Sequence, residues 1–226
     1  MTTRSQPTSK TLNANGLNLH YLEWGKPDAL PVVCVHGYTS SAEAFNAMAR
    51  RLCDRARIIA LDVRGHGESA WSPAGAYQYP DQAGDLAAFV DRLGLDRFVL
   101  IGTSMGGRIA MAYAVEHPDR LLALALNDIG PDVERGSSRI TTMVGSRPDS
   151  FPSLDAALEY RRQTSPITAA RPLDDQRETA LGVLRERPDG SWGWKMDPAY
   201  IEQRLTRVAQ PPPVSWAALA TLPCPT

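Results

Sequence analysis

The residues best suited to chemistry in this 226-residue chain form one short run, Gly102-Thr103-Ser104-Met105-Gly106. The pattern is G-x-S-x-G, and it follows an apolar run at 98–101 and opens a helical stretch at 105–116. A strand that becomes a helix within so few residues leaves the central residue in a strained backbone. Side chains two positions to either side would collide there, so glycine is needed. The Ser104 hydroxyl is thereby lifted clear at a helix N-terminus, whose free N–H groups favour developing negative charge. The chemistry implied is nucleophilic attack on a carbonyl, which also requires donors for the oxyanion. The backbone N–H of Met105 is one donor. The second is expected from the loop after the β-branched run 32–35, where His36-Gly37-Tyr38 lies, through the N–H of Tyr38. His36 is expected to order that loop by hydrogen bonding rather than to act as a base. The competing reading of Ser104 is a surface serine in a glycine turn.

Two other patterns carry weaker chemistry. Gly65-His66-Gly67-Glu68-Ser69-Ala70 matches G-x-G-x-x-A. A dinucleotide site needs a helix to start there, however, and Pro73 and Gly75 break one. Cys34 is a lone thiol inside a buried-type strand and reads as core.

The elements that position these residues are legible as an alternation. Residues 17–24 alternate as an edge-type strand. Residues 32–35 and 57–61 read as strands buried on both faces. Ser40 and Glu43 fit a capping box ahead of a helix through Phe45, Met48, Ala49 and Leu52. Ala83, Leu86, Ala87, Val90 and Leu93 fall on one helical stripe that Gly94 ends. Strands at 98–101 and 121–126 flank the helix at 105–116. Alternation of this kind predicts an α/β fold, a mostly parallel sheet with helices on both faces. Beyond 131 the punctuation shifts from glycine to proline, and helices are expected at 153–162, 174–187 and 197–208, the last capped by Asp197 with Pro198 in its first turn. No buried-type strand is read among them. The expected organisation is a core over residues 1–131, an inserted helical cap over 132–210, and a return to the core at 211–226.

Composition excludes several function classes. The formal net charge is −1, with 43% hydrophobic and 22% charged residues, so neither a disordered chain nor an electrostatic footprint for nucleic acid is indicated. No run approaches the 18 apolar residues of a membrane span, and the polar N-terminus resembles no secretory signal. Three cysteines, Cys34, Cys53 and Cys224, fit reduced thiols and a cytoplasmic location.

His36-Gly37, the run Asp62-Val63-Arg64-Gly65-His66-Gly67-Glu68-Ser69 and Gly102-Thr103-Ser104-Met105-Gly106-Gly107, in that order, resemble the α/β-hydrolase superfamily. Asn127-Asp128-Ile129-Gly130-Pro131 is similar to its cap-bearing esterase, lactonase and C–C-hydrolase-like members. The resemblance implies an eight-stranded sheet, a helical cap and a Ser-His-Asp triad that uses no metal and no organic cofactor. It also implies the chain order Ser, then Asp/Glu, then His. Only His117 follows Ser104, and about twelve residues of helix place it some 18 Å away, beyond the roughly 3 Å that proton transfer needs. The family pattern gives His20 and His66 structural places. Asp128 stands where some relatives carry their acid, although a loop or hinge role is the first reading. The expectation is therefore an incomplete hydrolase that lacks the last two strand–helix units, about 55 residues. Such a chain would be weakly active and, with an unpaired sheet edge, prone to form homo-oligomers. The expected function is a serine hydrolase of small carboxylic esters, lactones or related carbonyl compounds. The alternative is a non-catalytic small-molecule receptor on the same scaffold.

Overall fold

The apolar runs at 32–35 and 58–61 have no polar side to offer water, and the fold gives them none. The computed structural model describes residues 5–132, 142, 144–206 and 214–226, with backbone alone at 204–206. Six strands form the main sheet: β1 (Thr8–Ala14), β2 (Leu17–Trp24), β3 (Leu30–Val35), β4 (Ala56–Leu61), β5 (Phe98–Thr103) and β6 (Leu121–Asn127). Their order is β1-β2-β4-β3-β5-β6, parallel from β4 to β6 and antiparallel where β2 meets β4 and β1. Val33 and Val35 turn to one face, against Leu86 and Phe89 of α2 (Tyr79–Arg92) and Ile109 and Met111 of α3 (Met105–Glu116). Val32 and Cys34 turn to the other, against Phe45 and against Ala49 of α1 (Asn46–Leu52). Both faces are covered, so the strands read as continuous apolar runs. Cys34 is fully buried, and burial pushes its thiol pKa up, away from the thiolate.

The first strand, β1, was not among the expected elements. Its signal is Asn15-Gly16, with φ of 52° and 77°, a turn pair that closes the β1–β2 hairpin. The expected capping box at Ser40 and Glu43 is also replaced. A short 3-10 turn, Ala42–Phe45, starts from Ser41 instead, and its first N–H, that of Ala42, donates to Asp62 Oδ1 at 2.7 Å. A buried carboxylate from β4's end has taken the cap's place.

The cap region contains α4 (Leu154–Thr164), α5 (Pro166–Ala169), α6 (Leu173–Val183) and α7 (Pro198–Thr206), and α8 (Trp216–Ala220) follows it. It is not purely helical. The helix expected over 174–187 stops at Val183, and Leu184–Glu186 (β8) pairs with Trp192–Trp194 (β9), which pairs with Ser150–Phe151 (β7). The Asp189-Gly190 turn between β8 and β9 carries the signal, with Gly190 at φ 81°. Asp197 does cap α7, accepting the Ala199 N–H at 2.9 Å. Residues 133–141, 143 and 207–213, including Pro211-Pro212-Pro213 and the expected end of the last cap helix, lie outside the described residues. Phe151, Ala157, Leu158, Ala180, Val183 and Leu184 form a small core of the cap's own. The cap is tied down by Arg50 to Glu178 at 2.8 Å and by Lys195 to Glu68 at 2.6 Å. At the β6 edge, the Leu124 N–H donates to Pro225 O at 2.9 Å, so the last described residues run beside that strand.

Candidate active site

Ser104 stands between β5 and α3 with φ 49° and ψ −110°, a region that L-residues avoid. The surroundings hold it there: its N–H donates to Asn127 O at 2.9 Å, and its own carbonyl accepts from Gly107 and Arg108. The flanking glycines are required by space. A Cβ on Gly102 would lie 2.6 Å from the Gly106 carbonyl oxygen, and one on Gly106 would lie 2.6 Å from that of His36. Ser104 is half-buried, and its hydroxyl has no hydrogen-bond partner among the described residues. Met105 opens α3, where a backbone N–H has no intrahelical acceptor.

The loop after β3 comes directly against this corner. A Cβ built on Gly37 would stand 3.5 Å from Ser104 Cβ, which places Tyr38 one residue beyond the nearest approach. His36 is fully buried; its Nδ1 donates to Gly37 O at 2.8 Å, and its Nε2 accepts the Val63 N–H at 3.0 Å. The Val63 N–H therefore fixes the tautomer, and burial holds this imidazole neutral by lowering its pKa. The geometry is that of a loop organiser. Tyr38 is half-buried, with its ring 5.5 Å from that of Tyr200.

No histidine of the chain pairs with Ser104. His20 Nδ1 binds Asp62 Oδ2 at 2.7 Å and its Nε2 meets Ser9 Oγ at 2.9 Å. His117 stacks on Tyr113 beyond the far end of α3, with ring centroids 4.7 Å apart. His66 bonds the Arg64 carbonyl through Nδ1, and its buried Nε2 has no partner among the described residues. Burial and the neighbouring His36 bring its pKa down to about 3. Asp128 is exposed with φ 58°, and no hydrogen bond joins it to a histidine.

The Gly65–Ala70 pattern starts no helix. Gly67, at φ 52°, instead leaves room for the Asp62 carboxylate. That carboxylate is a hub: it accepts from Ala42 N–H, Glu68 N–H and His20. Burial opposes its ionisation, but the His20 hydrogen bond, the nearby imidazoles and the Ala42 N–H outweigh burial and lower its pKa. Two constellations escaped sequence reasoning, the Ser9–His20–Asp62 chain and a set of cap arginines taken up below. Both join residues far apart in the chain, with no local spacing to reveal them.

A family model for the alpha/beta hydrolase fold matches residues 31–190. A 3-hydroxybutyrate-oligomer hydrolase of Cupriavidus necator is 32% identical over 184 residues, covering 79% of this chain and 62% of that protein. The esterase YbfF of Escherichia coli is 29% identical over 192 residues, covering 77% and 72%. The crystal structure of an alpha/beta hydrolase from Novosphingobium aromaticivorans superposes with a TM-score of 0.81 at 28% identity, covering 98% of this chain and 81% of that one. The chain spans 62%, 61% and 58% of the lengths of three relatives, the Cupriavidus enzyme and two diacylglycerol lipases. With the elbow, the sheet order and these similarities together, the chain belongs to the α/β-hydrolase family.

Proposed function

We propose that this chain carries the nucleophile and oxyanion corner of a serine hydrolase acting on small carboxylic esters, lactones or related carbonyl compounds. The observation that carries the reading is the strained φ of Ser104 between two glycines that no larger residue can replace. A binding pocket gains nothing from such strain, whereas a nucleophile gains exposure and a helix N-terminus. The esterase and hydrolase relatives support the reaction class.

In this reading Ser104 Oγ attacks the carbonyl carbon and gives its proton to a base. The N–H groups of Met105 and Tyr38 hold the resulting oxyanion. Collapse breaks the bond to the leaving oxygen, which takes the proton, and water then releases the acyl group by the same steps in reverse. His20, His36 and His66 are hydrogen-bonded through Nδ1 to Asp62, Gly37 O and Arg64 O, and His117 lies beyond the far end of α3, so none of the four is assigned as the base. Asp128 is kept as a candidate acid. No step uses a metal or an organic cofactor. Covalent labelling of the protein by a fluorophosphonate, mapped to Ser104, is the test. A protein that fails to label favours the receptor reading.

A further inference from the structure

Between the cap and the loop after β3 lies a cavity of about 280 Å³, just under the usual range for small-molecule sites. Thr39 and Ser40 form one wall, and Arg147, Arg161 and Arg171 line it from the cap. None of these three arginines forms an ion pair among the described residues. Their neighbours do: Arg50 meets Glu178 at 2.8 Å, Arg162 meets Glu159 at 3.8 Å, and Arg177 meets Asp155 at 3.9 Å. Arg147 lies 4.5 Å over the Trp194 ring and reaches Met196 Sδ at 3.8 Å, neither of which neutralises it. The Nε of Arg161 is buried and has no hydrogen-bond partner among the described residues. Burial, and then the like charge of Arg171, lowers the Arg161 pKa; burial also lowers that of Arg147, against Tyr38, Tyr160 and Asp149. Arg147 and Arg161 are half-buried and Arg171 is exposed, and a partly buried guanidinium without a counter-charge favours an anion beside it.

We propose that this cavity is an anion subsite that holds a carboxylate or phosphate group of the substrate, with Arg161 and Arg147 as its inner cations. Arginine's planar fork suits either group. The proposal rests on the serine-hydrolase reading for where the cleaved bond lies. Thr39 is two residues from Gly37, so this wall and the nucleophile are within about 13 Å of each other. A substrate reaching from Ser104 past this wall would carry its negative charge at the end away from the cleaved bond.

The test is calorimetric titration of the wild-type protein with adipate, pentylphosphonate and uncharged adipamide. Binding of at least one anion is expected, weakened at least tenfold by Arg161→Met and by Arg147→Gln, with adipamide silent. Tighter binding of adipate would identify a carboxylate, and of pentylphosphonate a phosphate; both outcomes support the subsite. Arg161→Met is also expected to raise Tm, because it removes a half-buried charge that has no ion pair among the described residues. The proposal is overturned if neither anion binds, if adipamide binds equally, or if both variants keep wild-type affinity. A fall in Tm for Arg161→Met would mark it as structural and likewise overturn the proposal. Anion binding does not need Ser104. Failure of the labelling test with binding intact removes the catalytic reading alone, and labelling without anion binding removes the subsite alone.

Discussion

Two serines of this molecule divide between them the features of a hydrolytic site. Ser9, on an exposed edge strand, has the hydrogen-bond chain: its Oγ meets His20 Nε2 at 2.9 Å, and His20 Nδ1 meets Asp62 at 2.7 Å. Ser104 has none of that chain, but it has the strained backbone, the helix N-terminus and the loop at Gly37. The Ser9 arrangement fails as chemistry for physical reasons. Burial lowers the His20 pKa, but the hydrogen bond and charge of Asp62 more than offset it. That carboxylate ties the ring into the buried hub at the end of β4. An extended strand also presents no pair of N–H groups to an oxyanion on its side-chain face. On the proposed reading, hydrogen-bond order alone does not make the nucleophile; the backbone around the serine does.

The contrast between the two serines is largest in activity. With the full triad at work, Ser104→Ala is expected to lower ester hydrolysis by about 10⁶-fold, roughly 8 kcal/mol of transition-state stabilisation. Ser9→Ala is expected to change it by less than about twofold. Kinetics on a p-nitrophenyl ester check both, and a larger loss for Ser9→Ala reverses the assignment.

The Asp62 side of the comparison is read in stability. Asp62→Asn removes a buried charge on which His20, Ala42 and Glu68 converge, and is expected to cost about 3–5 kcal/mol in urea unfolding. A loss below about 1 kcal/mol would show that the hub is not structural.

Acid response gives a smaller, directional effect. His66 has a folded pKa of about 3 against an ordinary 6.5, so the folded protein binds fewer protons than the unfolded chain between those values. Its contribution is full above pH 6.5 and is lost as pH falls toward 3. Asp62, with its lowered pKa, adds a loss below 3.8, whereas the raised His20 pKa gives stability present below 6.5 and lost on going above it. Urea midpoints of wild type and His66→Gln between pH 7 and 4 are expected to show a shallower decline in the variant. Parallel declines would remove His66 from the cause.

Much of this was legible in the sequence where the determinants are local. The helix at 105–116 was placed to the residue because an elbow glycine starts it and Pro118 follows its end. Strands β3 to β6 are placed within a few residues by their apolar runs, of which β3 and β4 are buried on both faces while β6 is partly exposed. The β1–β2 and β8–β9 hairpins carried their signals in Asn15-Gly16 and Asp189-Gly190, but the short or polar strands beside them gave no apolar run to support the reading. The Ser41 turn, the Asp62 hub and the arginine cavity depend on residues dozens of positions apart. Pattern and propensity carry no trace of such meetings.

Fluorophosphonate labelling of the protein, with peptide mapping by mass spectrometry, decides between Ser104 and the hydrogen-bonded Ser9 as nucleophile. The expected result is a single adduct on the peptide containing Ser104, absent from the Ser104→Ala variant and retained in Ser9→Ala. An adduct on Ser9, or none on either serine, would contradict it.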